Sequence, residues 1–245
     1  MYSDVVVIIP ARIASTRLER KILQMIGNKT MIEHVISRIK KTKVAGVFVA
    51  TDSEEIFSLV SKRGFSAVMT NKNCLTGTDR VYEAFKKLPN HDKIKYIVNV
   101  QGDMPFIDES VISEIIKGLK SNRFDIMTSV VKVGKDIANF PSNVKVVIDK
   151  NNKALYFSRS LVPSGASEFL YHVGIYGFEV QALEKFVSLE QSENEKAENL
   201  EQLRALDNGM TIGVCHSREI PISVDTKEDL EKAREFAAKN PQYLT

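Results

Sequence analysis

Val5-Val6-Val7-Ile8-Ile9-Pro10-Ala11-Arg12-Ile13-Ala14-Ser15-Thr16-Arg17-Leu18-Glu19-Arg20-Lys21 changes chemistry abruptly after its first five residues. Those five are apolar, β-branched and without alternation, which predicts a strand buried on both faces. The loop that follows carries four cations (Arg12, Arg17, Arg20, Lys21) and two hydroxyls (Ser15, Thr16). Such a loop suits a polyphosphate: arginine offers a bidentate fork, lysine a point charge, and loop backbone its free N–H groups. On charge alone, a solvated basic loop would look the same. Neither GxxxxGK[ST] nor GxGxxG occurs in the chain, so this is no Walker loop and no dinucleotide fingerprint.

Downstream, strand and helix periods alternate. Met31, Ile32, Val35, Ile36 and Ile39 recur at helical spacing, 47–50 reads as a second buried strand ending at Thr51-Asp52, and Ile56, Leu59 and Val60 mark a helix that stops near Gly64. A strand at 67–69, a helix at 80–88 and a strand at 96–100 continue the rhythm. Repeated βαβ units predict an α/β fold with a mostly parallel central sheet and helices on both faces. Beyond about Ser121, 126–133, 144–148 and 154–157 read as strands with no helix between them, a mixed or antiparallel extension. Helices over 180–188, 196–207 and 226–238 complete the expected order. One domain with an inserted lobe is the economical division.

Apolar residues make up 43% of the 245 and charged residues 27%, a globular balance that excludes a disordered or fibrous chain. Lys and Arg exceed Asp and Glu by only three, 34 against 31, too few to imply a nucleic-acid partner. Cys74 and Cys215 stand far apart, and neither a disulfide framework nor a zinc knuckle is expected. The start of the chain has no basic n-region, and no apolar stretch approaches the roughly 18–20 residues of a membrane span. The expectation is a cytoplasmic protein with no membrane partner.

In open α/β sheets ligands bind beyond the carboxyl ends of the strands. Three such ends are unusually polar here: 10–21, 50–52 and 99–105. In Asn99-Val100-Gln101-Gly102-Asp103-Met104-Pro105, the aspartate sits on a tight turn with its carboxylate facing the cleft, as a magnesium ligand would; a turn-capping aspartate is the plain alternative. In Val224-Asp225-Thr226-Lys227-Glu228-Asp229-Leu230, both Asp225 and Thr226 look like helix caps, yet Asp225 could also fold back to pair with Asp103.

In this order the segments resemble the 3-deoxy-manno-octulosonate (Kdo) cytidylyltransferase family. IPARxASTRL at 9–18, ATD at 50–52, TGT at 76–78, NVQGD at 99–103, ALYFSR at 154–159, HxGIYGF at 172–178, LEQLRxL at 200–206 and VDTxEDL at 224–230 carry the likeness nearly end to end. The resemblance implies a nucleotide-diphospho-sugar transferase-like fold, with a nucleotide-binding part over 1–121 and 208–245 and a sugar-binding, dimerising lobe over 122–207. It implies CTP and Kdo as substrates, CMP-Kdo and pyrophosphate as products, magnesium as cofactor, and a homodimer serving lipopolysaccharide synthesis. Carried across, Arg12 and Lys21 hold the triphosphate, Ala11 and Ser15 line the nucleotide pocket, and Thr76 and Gly77 stand near the cytosine. Asp103 and Asp225 bind magnesium, and Gln101 faces the sugar or ribose. Arg159, His172, Tyr176, Glu201 and Gln202 line the sugar site.

The sequence departs from the family in three places. Met104 stands where the family has the Glu of GDEP, and Glu19-Arg20-Lys21-Ile22 replaces the PGKP of RLPGKPL. The stretch 162–171 is shortened. The rival expectations are a cytidylyltransferase for 8-amino-Kdo or sialic acid, an inactive nucleotide-binding homologue, and a salt-sensitive nucleic-acid binder.

Overall fold

The computed structural model describes residues 2–244. In chain order the elements are β1 (Tyr2–Ala11), β2 (Met25–Ile26), β3 (Lys29–Thr30), α1 (Met31–Ile39), β4 (Val44–Thr51), α2 (Glu54–Lys62), β5 (Ser66–Met69), α3 (Gly77–Lys86), β6 (Tyr96–Asn99) and α4 (Glu109–Lys120). They continue with β7 (Ile126–Gly134), α5 (Lys135–Ala138), β8 (Lys145–Ile148), β9 (Ala154–Ser158), β10 (Glu168–Glu179), α6 (Val180–Ser188), α7 (Glu193–Glu198), α8 (Gln202–Asp207), β11 (Ile212–His216) and α9 (Lys227–Lys239). Two compact units result: one runs up to Ile112 and resumes from Pro221, the other is Ser113–Ile220.

In the first unit β1 lies between β6 and β4, with β5 outside β4, and all pairs are parallel. Val5, Val7, Ile8 and Ile9 are fully buried, as the unalternating run requires. Ile8 pairs with Asn99, Pro10 with Ala50 and Ala11 with Thr51, so the three polar strand ends leave the sheet at one edge. The helices begin where local chemistry allows. Thr30 and Glu33 close a capping box on α1, Ser53 caps α2 by accepting from Ile56 N–H, and Thr76 and Asp79 close a second box on α3. That cap starts α3 at Gly77, three residues before the expected position.

The second unit is mixed. β10 runs antiparallel to both β7 and β8, β9 is antiparallel to β8, and β11 is parallel to β7. Three details differ from expectation. A one-turn helix, α5, separates β7 from β8; four residues are too few to imprint a helical period. The helix expected over 196–207 is two short ones, because Asn199 takes a left-handed conformation (φ 53°, ψ 52°) at the C-cap of α7. The twelve-residue β10 had no counterpart in the periodicity, since its register shifts between Val173 and Tyr176 and glycines interrupt it. At Gly177 a side chain would force its neighbours to move: a Cβ would lie 2.5 Å from Ile115 of α4.

Candidate active site

At the polar edge of the first unit lies a cavity of about 320 Å³. It is lined by Ala11, Arg12, Ser15 and Lys21 from the first loop, Thr76 and Gly77 at the start of α3, Gln101 and Asp103 after β6, and Asp225 before α9. Every residue expected to hold nucleotide or metal is therefore on one wall or another of a single cavity. Gly102 allows the turn to approach: a Cβ there would lie 2.9 Å from Ile22 Cδ1 and 3.4 Å from the Pro10 carbonyl oxygen.

Lys21 is the centre of the arrangement. Its ammonium donates to Asp103 Oδ2 at 2.7 Å and to Asp225 Oδ1 at 2.8 Å, and its side chain is only 14% exposed. Those two oxygens are thus no more than about 5.5 Å apart, the sum of the two distances. Burial opposes the charge on Lys21, but Asp103 and Asp225 outweigh it and hold its pKa above the ordinary lysine value. Asp225 reaches the cavity through a division of labour. Thr226, not Asp225, caps α9 in a box with Asp229, and Val224 N–H donates to the Asp103 carbonyl at 3.0 Å.

The donor set fits magnesium. Two hard carboxylates converge from separate loops, and magnesium prefers one or two carboxylates completed by phosphate oxygens and water. Among the described residues there is no cluster of three or more His, Cys, Asp or Glu side chains of the kind an all-protein metal cage would need.

Two further cations line the cavity: Arg17, one of the four in the basic loop, and Arg80, which had no role assigned from sequence. Arg17 Nη2 pairs with Asp225 Oδ1 at 3.1 Å. Arg80, on the first turn of α3, is buried and held by Asp52 Oδ2 at 2.8 Å and Thr70 Oγ1 at 2.6 Å. The signal for Arg80 was present in the ATD and TGTDR segments, whose charges pair across strand and helix. Arg12, Arg17, Lys21 and Arg80 against Asp103 and Asp225 leave the cavity wall cationic, as a polyanion demands. Cys74 also lines it, but burial and the Glu83 carboxylate push its thiol up to about 11, so a thiolate nucleophile is disfavoured.

The five residues expected around the sugar all lie in the second unit. Arg159 donates through Nε to the Glu198 carbonyl at 2.8 Å and through Nη2 to the Asn199 carbonyl at 3.2 Å, contacts that orient its charge without cancelling it. His172 and Tyr176 are buried on β10, their rings 5.4 Å apart. Burial and then the charge of Glu201 raise the Tyr176 pKa, so its phenol stays protonated. Gln202, 4% exposed at the start of α8, has an Nε2 with no hydrogen-bond acceptor.

The sequence profile of the cytidylyltransferase family matches residues 6–212. The 3-deoxy-manno-octulosonate cytidylyltransferase of Rickettsia bellii (strain OSU 85-389) is 56% identical over 239 residues, 98% of each chain. That of Rickettsia africae (strain ESF-5) is 55% identical over 235 residues, 96% of each. This chain belongs to the 3-deoxy-manno-octulosonate cytidylyltransferase family. A solved structure of CMP:2-keto-3-deoxy-manno-octonic acid synthetase, complexed with CTP, superposes with a TM-score of 0.92 at 35% identity, covering 97% of this chain and 99% of that one. As a member of this family the chain is a nucleotidyltransferase with the family's α/β fold.

Two departures from the family pattern acquire a structural account. Arg20, at the glycine of RLPGKPL, adopts the left-handed conformation that glycine favours (φ 50°, ψ 37°) and pairs with Glu55. The loop thus keeps its turn without the glycine. Met104, at the glutamate of GDEP, is buried and lies outside the cavity lining.

Proposed function

We propose that the chain transfers the cytidylyl group of CTP to the anomeric hydroxyl of Kdo, releasing pyrophosphate. The observation that carries this reading is the convergence of Asp103, Asp225 and Lys21 at a cationic cavity on the carboxyl edge of a parallel sheet. The hydroxyl oxygen attacks the α-phosphorus in line, the bond to the bridging oxygen breaks, the hydroxyl proton is lost, and pyrophosphate leaves with the electron pair. Catalysis of such a transfer is a matter of positioning and charge neutralisation, with no covalent enzyme intermediate.

Arg12, Arg17 and Lys21 offset the charge that builds on the departing pyrophosphate. Ala11 and Ser15 border the nucleotide, Thr76 and Gly77 face the base, and the amide N–H groups at the start of α3 favour an anion. Asp103 and Asp225 would hold magnesium, which when bound supplies further charge neutralisation at the reacting phosphate and hydroxyl oxygens. Gln101 faces the acceptor side or the ribose. In the second unit Arg159 suits the Kdo carboxylate, and Tyr176, Glu201, Gln202 and the neutral His172 suit its hydroxyls. By the same family resemblance, the enzyme works as a cytoplasmic homodimer and its product feeds lipopolysaccharide synthesis.

The test is pyrophosphate release with CTP and Kdo, with and without magnesium. Asp103→Asn should leave the fold intact and lower turnover by ~100-fold or more, given the loss that even outer-shell changes cause at metal sites. Near-wild-type turnover in that variant would remove Asp103 from the site. Turnover of 8-amino-Kdo or sialic acid in place of Kdo would change the acceptor and leave the chemistry.

A further inference from the structure

We infer that Lys21 is a built-in stand-in for the divalent cation: without nucleotide its ammonium fills the space between Asp103 and Asp225, and the pair accepts a metal ion only as that ammonium is drawn away. The inference rests on the proposed role of the two carboxylates and adds a property of the nucleotide-free enzyme. Its basis is geometric. One nitrogen lies 2.7 Å from Asp103 Oδ2 and 2.8 Å from Asp225 Oδ1. A divalent ion held by the same two carboxylates would need the space this ammonium fills, and two cations cannot share it. Arg17, 3.1 Å from the same Asp225 oxygen, adds a second positive charge at the entrance.

The chain is built so that only the side chain needs to move. Lys21 opens a short 3₁₀ turn, Lys21–Leu23, whose Ile22 is buried, 6% exposed, against the Gly102 turn. The backbone of Lys21 is therefore pinned to the turn that carries Asp103. Its four-carbon stem is free to carry the ammonium from carboxylate to phosphate, since an ammonium is a point charge with no geometric preference between them. A polyphosphate entering the cavity gives Lys21 and Arg17 new anionic partners and releases both carboxylates at the same moment. Nucleotide and metal then bind with positive coupling, each favouring the rearrangement that the other needs.

The experiment measures Mn²⁺ binding to nucleotide-free enzyme by the electron paramagnetic resonance signal of the free ion. Wild type should bind weakly. Lys21→Met should bind one ion at least about tenfold tighter, because the metal no longer has to displace two charge-assisted hydrogen bonds. Adding Asp103→Asn to that variant should abolish the gain. Equal or weaker binding by a folded Lys21→Met protein overturns the inference.

Should Lys21→Met fail to fold, wild type supplies a second measurement. Mn²⁺ at saturating concentration should speed acetylation of Lys21 severalfold relative to exposed lysines, read by peptide mass spectrometry; an unchanged rate overturns the inference equally. Neither measurement uses CTP or Kdo. Inactivity toward Kdo therefore leaves this inference standing, and failure here leaves the reaction standing.

Discussion

Acidification from pH 7 to pH 5 should destabilise the protein in part through His172. Its ring is 8% exposed, packed 5.0 Å from Phe157 and 5.4 Å from Tyr176, with Nε2 2.9 Å from Thr128 Oγ1. The Thr128 hydroxyl also lies 2.8 Å from the Ile175 carbonyl. Donating its one proton there, it accepts from His172 Nε2–H and so selects the tautomer protonated at Nε2. Burial lowers the His172 pKa from 6.5 to about 3. Between those values the unfolded chain binds a proton that the folded chain refuses. Stability is therefore full above the unfolded pKa and is lost as pH falls through the window.

Integrated from pH 7 to pH 5, the linkage amounts to ~2 kcal/mol, or about 4–8 °C in Tm for a chain of this length. His34, whose pKa burial also lowers, acts in the same direction, so the readout must be a difference between proteins. Urea unfolding followed by circular dichroism at pH 7, 6 and 5 supplies it, with His172→Gln beside wild type. The variant has a lower stability throughout but should lose ~2 kcal/mol less on acidification. Parallel losses in the two proteins would refute the argument, because they would mean that His172 titrates alike folded and unfolded. The same burial bears on function: above pH 5 any contact His172 makes with a sugar is that of a neutral ring. The KM for Kdo should accordingly show no His172-dependent step between pH 6 and pH 8.

Three further substitutions, at two positions, test the departures from the family pattern. Arg20→Gly relieves a left-handed side-chain conformation worth ~1–2 kcal/mol but loses an exposed ion pair and adds chain entropy, so stability should stay within about 1 kcal/mol of wild type. Arg20→Val, which keeps the strain and adds a β-branch, should be clearly less stable by thermal melting; equal melting of the two variants would show that the turn does not require this geometry. Met104→Glu places a carboxylate in a buried position outside the cavity and should cost about 1–3 kcal/mol with no gain in nucleotide-free Mn²⁺ affinity. Tighter Mn²⁺ binding by that variant would place the side chain at the metal after all.

The first unit was legible because its signals are local. Five unalternating β-branched residues make a strand buried on both faces, and a polar segment after such a strand lies at the carboxyl edge in any parallel sheet. That logic brought 10–21, 50–52 and 99–105 together before any register was known. The second unit was less legible because its features are tertiary. β10 contains a bulge between Val173 and Tyr176 and the interruptions at Gly174 and Gly177, so no period of two runs through it. Asn199 divides α7 from α8 by its backbone conformation, which the helical spacing of the flanking residues does not reveal. At the site, the identities of the cations were visible but their pairings were not. Lys21 and Arg17 were legible as phosphate ligands, whereas their contacts with Asp103 and Asp225 depend on which loops meet.

How the two carboxylates meet is a question of packing rather than of chemistry at the site. Val224 is fully buried in a cluster with Ile26, Met31, Phe106, Leu230, Ala233 and Ala237, with Phe236 packed against it. The cluster clamps α9 to the segment that follows Asp103, and Phe106 lies 4.9 Å from the Phe236 ring. The Val224 N–H to Asp103 carbonyl bond then fixes the spacing between the two loops, and Thr226 supplies the helix cap that would otherwise compete for the Asp225 side chain. None of the packing and capping residues lines the cavity, and each contact is an ordinary stabilising interaction of burial, hydrogen bonding or capping. Their joint effect is to hold an acidic oxygen where a positive charge must sit, whether that charge is the ammonium of Lys21 or the ion it represents.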